Sequence, residues 1–303
     1  MTTRALVAAA IAAAGVLLLP GCGDAGDPRP DLVFVSTRDG DYALYAMNAD
    51  GGRQKRLSSE EADTSSTGAV FFQVEPALSP DGRRIAYASR RAGSFDIYVM
   101  DVDGTGVRRL TTTNADDRAP SFSPDGTLIV FARGEPGDLY VVDTDGSNLR
   151  RVTRDLAEET EPSWSPDGSR IAFVRRTPGT DVRELWLVLP DGTGLRRVTS
   201  LRAASYRPSW APDGRRIAFT SNARDSRYEI YSIGVDGSGL RRVTRSDEDA
   251  LDPAWSVDGS AIAFSRGGAI VVADLDGDEE RLTDGENNDS SPAWNPRPPP
   301  ADG

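Results

Sequence analysis

Short runs that contain apolar residues recur along this chain, and turn residues such as Pro, Asp and Gly lie between many of them. The clearest copy begins at Pro162-Ser-Trp-Ser-Pro-Asp-Gly, continues through Ile171-Ala-Phe and Glu184-Leu-Trp-Leu, and ends at Arg196-Arg-Val-Thr. Runs of this kind are typical of short β-strands, so each copy predicts four strands separated by tight turns. The Asp-Gly pair of the first turn returns after 44, 42, 46 and 45 residues. This period indicates a β-propeller.

The two ends of the repeat region complement each other. We label the strands of one repeat a to d in chain order. The first repeat has runs for strands b, c and d at 33–35, 44–45 and 55–58 but none for strand a, whereas 291–296 is a strand a with nothing after it. Together they make one blade. The sequence therefore predicts an all-β, six-bladed propeller over 31–296, with four antiparallel strands per blade, closed by the C-terminal strand.

The chain starts with an apolar run from Ala5 to Leu19 that follows a single basic residue. Because a membrane span needs roughly 20 apolar residues, this run predicts a cleaved targeting segment over 1–21. Leu19-Pro-Gly-Cys22 resembles the lipobox of bacterial lipoproteins, which implies a diacylglyceryl thioether on Cys22. An ordinary secretory signal with an incidental cysteine is the alternative. We expect a short tether over 22–30 and a disordered tail over 297–303.

Composition narrows the possible functions. The chain has 47 acidic and 35 basic residues, a formal net charge of −12 at pH 7. Such a surface repels nucleic acid and anionic lipid, so we expect no nucleic-acid partner and membrane attachment only through the lipid. Histidine is absent, which excludes Ser-His-Asp and Cys-His catalysis and His-ligated metal sites.

Two further repeated features have structural interpretations. The strand-a tryptophans are expected to wedge between neighbouring blades as core residues; they are Trp164, Trp210, Trp255 and Trp294. Arginine pairs such as Arg108-Arg109 and Arg150-Arg151 fall on the outermost strand. There they are expected to keep an exposed sheet edge from pairing with another chain, and a site for an anionic polymer is the alternative.

The repeat Trp-Ser-Pro-Asp-Gly-x-x-Ile-Ala-Phe, followed by Ile-Tyr, Asp-x-Asp-Gly and Arg-Arg-Leu-Thr, resembles the propeller repeats of TolB-like proteins over 31–296. This resemblance implies an extracytoplasmic propeller that works by binding partners. Some family members carry an α/β domain ahead of the propeller, and we expect the propeller without it. The Asp-x-Asp-Gly turns also suggest calcium loops, but Thr112 stands where such a loop starting at Asp101 needs its Glu. We therefore interpret them as turns.

Loop lengths differ between the two faces of the predicted disc. The a–b and c–d turns share one face, here called the Asp-Gly face, and the b–c and d–a loops share the other, the loop face. Across the b–c loops, strand b's aromatic position and the second residue of strand c are separated by 11, 11, 9, 13, 12 and 7 residues. One d–a connection, Ser58 to Pro76, spans 18 residues where the other five span 9. In it, Phe71 and Phe72 either pack locally or form an apolar lip over the channel.

Acidic residues precede the proline of strand a in five of the six repeats. Residues one and three before it are expected to alternate toward the same side, at the channel mouth. Six carboxylates and one arginine are the candidates: Glu75, Asp117, Glu159, Glu161, Asp252, Asp289 and Arg207. Crowded carboxylates raise one another's pKa unless a cation joins them. We expect this mouth to bind a metal ion, a cationic ligand or a basic segment of a partner, with a solvated acidic rim as the alternative.

These observations favour a lipid-anchored, monomeric, extracytoplasmic propeller of the bacterial cell envelope. We expect it to bind a protein or a small cationic ligand through the loop face, without catalysis and without a cofactor other than a possible channel-bound cation. One alternative is a glycoside-active enzyme, with two mouth carboxylates roughly 5 to 10 Å apart as general acid and nucleophile or base. Another is a small-ligand sensor, which a deep, partly apolar channel would favour.

Overall fold

The computed structural model describes residues 29–58, 72–154, 156–224 and 226–296. These residues form six four-stranded antiparallel sheets. Each inner strand contacts the inner strands of both neighbouring blades, so the sheets close into a ring around an axial channel. The predicted all-β, six-bladed propeller is confirmed. Within these four ranges, no helix is long and apolar enough to cross a membrane.

Strands are numbered in chain order. Blades 1 to 3 contain β1 (Leu32–Ser36), β2 (Ala43–Met47), β3 (Lys55–Arg56), β4 (Gln73–Leu78), β5 (Arg84–Ser89), β6 (Asp96–Asp101), β7 (Arg108–Arg109), β8 (Asp117–Phe122), β9 (Leu128–Arg133), β10 (Asp138–Asp143) and β11 (Arg150–Arg151). Blades 4 to 6 contain β12 (Glu159–Trp164), β13 (Ile171–Arg176), β14 (Arg183–Val188), β15 (Arg196–Arg197), β16 (Ser205–Trp210), β17 (Arg216–Ser221), β18 (Glu229–Gly234), β19 (Arg241–Arg242), β20 (Ala250–Trp255), β21 (Ala261–Arg266), β22 (Ala269–Asp274) and β23 (Glu279–Arg281), and β24 (Ser290–Trp294) follows them.

The C-terminal strand closes the ring, as predicted. β24 pairs antiparallel with β1, placing Trp294 opposite Leu32. Beyond the strand, the Asn295 amide donates to the carbonyls of Pro30 at 2.9 Å and Gly82 at 3.3 Å. Arg29 also donates to the Asp81 carbonyl at 3.0 Å. Both described ends of the chain are thus attached to the a–b turn of blade 2, on the Asp-Gly face.

The core lies between the blades. Phe34, Phe131, Phe173, Phe219 and Phe264, the aromatic residues of five b strands, are fully buried. Each strand-a tryptophan packs against residues of the preceding blade, as Trp164 does against Val130 and Val141. The interpretation of the tryptophans as core wedges is confirmed.

The Asp-Gly turns stabilise themselves. The Asp167 carboxylate accepts hydrogen bonds from the Ser165 hydroxyl at 2.6 Å and from the Ser169 amide at 3.0 Å. The hydrogen bond from Ser165 contributes most to lowering the pKa of Asp167, and the hydrogen bonds from Ser169 act in the same direction. Gly168 follows with a φ of +71°, which glycine adopts without steric cost. In an Asp-x-Asp-Gly turn, the Asp103 carboxylate likewise accepts hydrogen bonds from the Thr105 amide at 2.9 Å and the Thr105 hydroxyl at 2.7 Å, which supports the interpretation of these aspartates as turn residues.

The paired arginines have partners within the propeller. The first arginine reaches the c–d turn of the next blade, and Arg150, for example, donates to the Pro190 carbonyl at 2.7 Å. In three pairs the second arginine contacts the acidic residue that begins strand c of its own blade, as Arg109 does with Asp96 at 2.8 Å. These contacts favour a structural role for the pairs over the anionic-polymer alternative.

Candidate functional site

A β-bulge interrupts every inner strand just before its proline. The residue there adopts a left-handed backbone with φ between 50° and 60°. These residues are Glu75, Ala119, Glu161, Arg207, Asp252 and Ser291. In blade 4 the pairing register shifts between Thr160 and Ser163, so the bulge adds one residue to the inner strand. An added residue reverses the alternation of side chains on either side of it.

The bulge directs four of the seven predicted mouth residues into the channel. Arg207 Nη2 lies 3.1 Å from Glu75 Oε1, on the opposite side of the ring. Its Nε lies 3.2 Å from Asp252 Oδ1 and 3.6 Å from Glu161 Oε1. The Arg207 side chain is 28% exposed and the three carboxylates are 10% to 20% exposed. We call these four residues the channel cluster.

The carboxylates of the channel cluster also join neighbouring blades. Glu75 accepts a hydrogen bond from the Ala119 amide at 2.7 Å, and Glu161 accepts one from the Arg207 amide at 2.6 Å. Asp252 accepts one from the Ser291 amide at 3.3 Å. Each carboxylate therefore caps the bulge of the following blade, and the cluster links the inner strands around the channel.

Electrostatics favour a charged Arg207. Burial alone would lower its pKa, but Glu75, Asp252 and Glu161 more than offset this effect and raise the pKa above its usual value. Burial raises the pKa of Glu161, with Arg207 acting in the opposite direction. The cation that the acidic sequence pattern predicts is thus supplied by the chain itself. In the described part of the chain, no group of three His, Cys, Asp or Glu side chains could hold a metal ion.

The remaining three predicted mouth residues lie inside the blades. Asp117 forms a salt bridge with Arg133 at 2.6 Å, Glu159 with Arg175 at 3.3 Å, and Asp289 with Arg38 at 3.1 Å. All three acids are 0% to 1% exposed. The expectation that positions one and three before the proline share the channel mouth is wrong, because the bulge between them changes the strand's side-chain phase.

Phe72 packs locally. Its ring stacks on Tyr42 of blade 1 with centroids 5.0 Å apart, and it faces Phe95 of blade 2 at 6.3 Å. Of the two interpretations, local packing describes Phe72. Phe71 and residues 59–70 of the inserted loop lie outside the described residues, as do Cys22, the rest of 1–28 and the tail at 297–303.

An axial cavity of about 390 Å³ extends from the channel cluster toward the Asp-Gly face. Prolines and tryptophans of the inner strands line it, among them Pro162, Trp164, Trp210 and Trp255. Its walls are therefore partly apolar. The channel cluster borders the end of the cavity that is nearer the loop face.

A separate groove of about 540 Å³ lies between blades 4 and 5 on the loop face. Tyr206 and Tyr228 meet there edge to face with centroids 5.8 Å apart, and the Arg183 guanidinium lies 5.3 Å from the Tyr206 ring. The sequence-based predictions did not include this groove. The available signal was loop length, since the b–c loops of these two repeats are the longest, at 13 and 12 residues.

Comparisons with known proteins agree with this architecture. The family model described as the TolB beta propeller domain matches residues 69–179 and 162–298. A protein TolB homolog of Chlorobium luteolum is 30% identical over 143 residues, covering 33% of this chain and 31% of the relative. An uncharacterized protein of Agrobacterium fabrum is 32% identical over 133 residues, covering 38% and 42%. The chain thus spans less than half of the length of these curated relatives.

Solved structures share the fold at low sequence identity. TolB from Acinetobacter baumannii has a TM-score of 0.73 and 23% identity, with 88% of this chain and 67% of that one covered. A manganese complex of oligogalacturonate lyase has a TM-score of 0.57 and 19% identity, with 83% and 73% covered. These likenesses concern the fold alone, whereas the family model matches most of the chain. This protein belongs to the TolB β-propeller family.

Proposed function

We propose that the protein is a lipid-anchored, extracytoplasmic propeller that binds another protein of the cell envelope through its loop face. Membership in the TolB propeller family supports a binding role. A relative in Francisella tularensis, 31% identical over 115 residues, is a Tol-Pal system protein TolB; the match covers 36% of this chain and 25% of the relative. The apolar run before Cys22 supports export and lipidation.

The attachment points of the chain support the choice of the loop face. Arg29 is held on the Asp-Gly face through its bond to the Asp81 carbonyl. Seven residue steps separate it from Cys22, and such a length reaches at most about 25 Å. A lipid on Cys22 keeps the Asp-Gly face nearest the membrane. The loop face then points away from the bilayer, where a partner can reach it.

The observation that carries this proposal is the groove between blades 4 and 5. Tyr206, Tyr228 and Arg183 line it together on the loop face. Tyrosine and arginine are among the residues that contribute most to protein–protein binding, because they combine a large contact area with directed hydrogen bonds. By contrast, the Asp-Gly turns bond to their own hydroxyls and amides, as Asp167 does.

Affinity capture from detergent-solubilised membranes tests the proposal. We expect the full chain to retain a specific envelope protein, and Tyr206→Ala/Tyr228→Ala to lose it. Val107→Ser/Leu149→Ser removes exposed apolar groups from the Asp-Gly face and serves as the matched control. We expect Cys22→Ala to move the protein to the soluble fraction. Loss of the partner in the control alone, or a Cys22→Ala variant that stays membrane-bound after signal cleavage, would contradict the proposal.

The axial cavity supports a second candidate, a small-ligand sensor. Its volume of about 390 Å³ and partly apolar walls resemble those of small-molecule sites. Ala254→Trp would fill part of this cavity without altering the loop face. If the protein is a sensor, this variant loses ligand binding while partner capture persists.

We do not propose catalysis by the channel carboxylates. Glu75, Glu161 and Asp252 direct their oxygens to Arg207 and to the bulge amides. These contacts describe a structural use of the three acids. A glycoside-active pair instead needs two carboxyl groups facing a bound sugar across a cleft.

A further inference from the structure

The residues lining two neighbouring pockets on the loop face have a charge balance opposite to that of the whole chain. Two pockets flank the b–c loop of blade 5, the groove of about 540 Å³ and a second pocket of about 460 Å³. Five arginines and two aspartates line them, whereas acidic residues outnumber basic ones 47 to 35 in the chain. We call this surface the basic sector; its arginines are Arg183, Arg202, Arg227, Arg242 and Arg245.

The basic sector is anchored by buried groups. Arg242 is held by Glu229 at 2.6 Å and by the Thr244 carbonyl at 2.9 Å. The Arg202 amide donates to Glu184 at 2.8 Å, which fixes its backbone with a φ of 53°. The backbone of Arg202 and the guanidinium group of Arg242 are therefore held in place.

The arginines of the sector differ in exposure. Arg202, Arg227 and Arg245 are exposed. The Glu158 carboxylate approaches Arg183 only to 3.8 Å. Of the two lining aspartates, Asp181 forms its salt bridge with Arg176 at 3.2 Å.

We propose that the basic sector is the docking site for an acidic segment of the partner protein. This inference rests on the proposed function and names the chemistry of the partner. Guanidinium groups bind carboxylates with paired, charge-assisted hydrogen bonds. The rings of Tyr206 and Tyr228 supply apolar contact beside those charges. An extended segment with acidic side chains in both pockets matches this arrangement.

A peptide-binding measurement tests the inference. The probe is a fluorescein-labelled peptide of about twelve residues with alternating Glu and Tyr or Gly, long enough at ~3.3 Å per residue to reach both pockets. Binding to the solubilised full chain is followed by fluorescence anisotropy. We expect binding that weakens as NaCl rises from about 0.05 to about 0.3 M, since salt screens exposed charges. The same peptide with Gln in place of Glu should not bind.

Two matched variants locate the binding. Arg202→Gln/Arg227→Gln/Arg245→Gln should raise the Kd by about tenfold, because three charge-assisted contacts are lost. Arg53→Gln/Arg83→Gln/Arg215→Gln makes the same charge change at exposed positions on the Asp-Gly face and should leave the Kd within about twofold. Melting temperatures check that both variants fold.

Several outcomes would overturn the inference. They are an equal rise of the Kd in both variants, equal binding of the Gln peptide, and no binding of the Glu peptide to the wild type. If membrane capture depends on Tyr206 and Tyr228 but not on the three arginines, the proposed function stands and the acidic-segment inference fails.

Discussion

Arg207 lies where three inner strands of the propeller direct a carboxylate into the channel. The sequence predicts that Glu75, Glu161 and Asp252 gather near Arg207, because each precedes the proline of a repeated strand. It does not reveal the left-handed backbone at these positions, since residues other than glycine seldom adopt it. The burial of Asp117, Glu159 and Asp289 in salt bridges could not be predicted for the same reason.

Replacing Arg207 should destabilise the ring. Arg207→Met leaves three carboxylates without their shared cation, and we expect a loss of about 2 kcal/mol in the free energy of unfolding. This loss is below the ~3 to 5 kcal/mol that follows removal of one partner from a fully buried ion pair, because the Arg207 side chain is 28% exposed. Chemical denaturation measures the change. Arg207→Met/Glu161→Gln is the control and should recover part of the loss; a stability equal to wild type in Arg207→Met contradicts the account.

The same variant has an expected pH dependence. Burial already raises the pKa of Glu161, so the folded state binds its proton more tightly than the unfolded chain does. The free energy of unfolding therefore decreases as the pH rises through the titration of Glu161. Without Arg207 this effect grows, and the deficit of Arg207→Met should be smaller at about pH 4.5 than at pH 7. Thermal unfolding across this range tests the sign.

The buried position of Asp117 contradicts the sequence-based expectation that it lies at the channel mouth. As a solvated mouth residue it would tolerate an amide, whereas the structure pairs it with Arg133 at 2.6 and 2.8 Å. Asp117→Asn leaves the guanidinium without its charged partner, and we expect a loss of about 3 kcal/mol. Asp276→Asn, in an exposed c–d turn, is the control and should change stability by less than about 0.5 kcal/mol. An unchanged melting temperature for Asp117→Asn contradicts this assignment.

At the scale of elements, the repeat predicts the blades well. Strand identity and the Asp-Gly turns follow from the repeated local pattern, and the pairing of β24 with β1 follows from the complementary ends of the repeat region. Contacts between blades do not follow from it. The reach of Arg150 to Pro190 in the next blade depends on the tilt and spacing of the sheets. The groove between blades 4 and 5 depends on two loops that are distant in sequence.

A glycine substitution can measure this inter-blade packing. Gly192 has a φ of +87°, and a Cβ there would lie 2.2 Å from the Val152 carbonyl oxygen of blade 3. Gly40 has a φ of +94° with open space around it. Gly40→Ala should cost about 1 to 2 kcal/mol from backbone strain, and Gly192→Ala about 2 kcal/mol more, because two backbones must separate. Equal costs in urea denaturation would show that the close approach contributes nothing.

At the scale of the whole molecule, two features divide the propeller into a membrane-proximal and a distal side. Arg29 and Asn295 attach both described chain ends to the Asp-Gly face. The basic sector, which includes the groove between blades 4 and 5, lies on the loop face. With the proposed lipid on Cys22, the surface suited to binding is the one that points away from the bilayer.

Photo-crosslinking in living cells tests this central claim most directly. A photoreactive phenylalanine analogue is placed at Tyr228 on the loop face or at Ser169 on the Asp-Gly face, and adducts are resolved by gel electrophoresis and mass spectrometry. The account predicts one discrete protein adduct from position 228 and none from position 169. An adduct from position 169 alone, or from neither position, would contradict it.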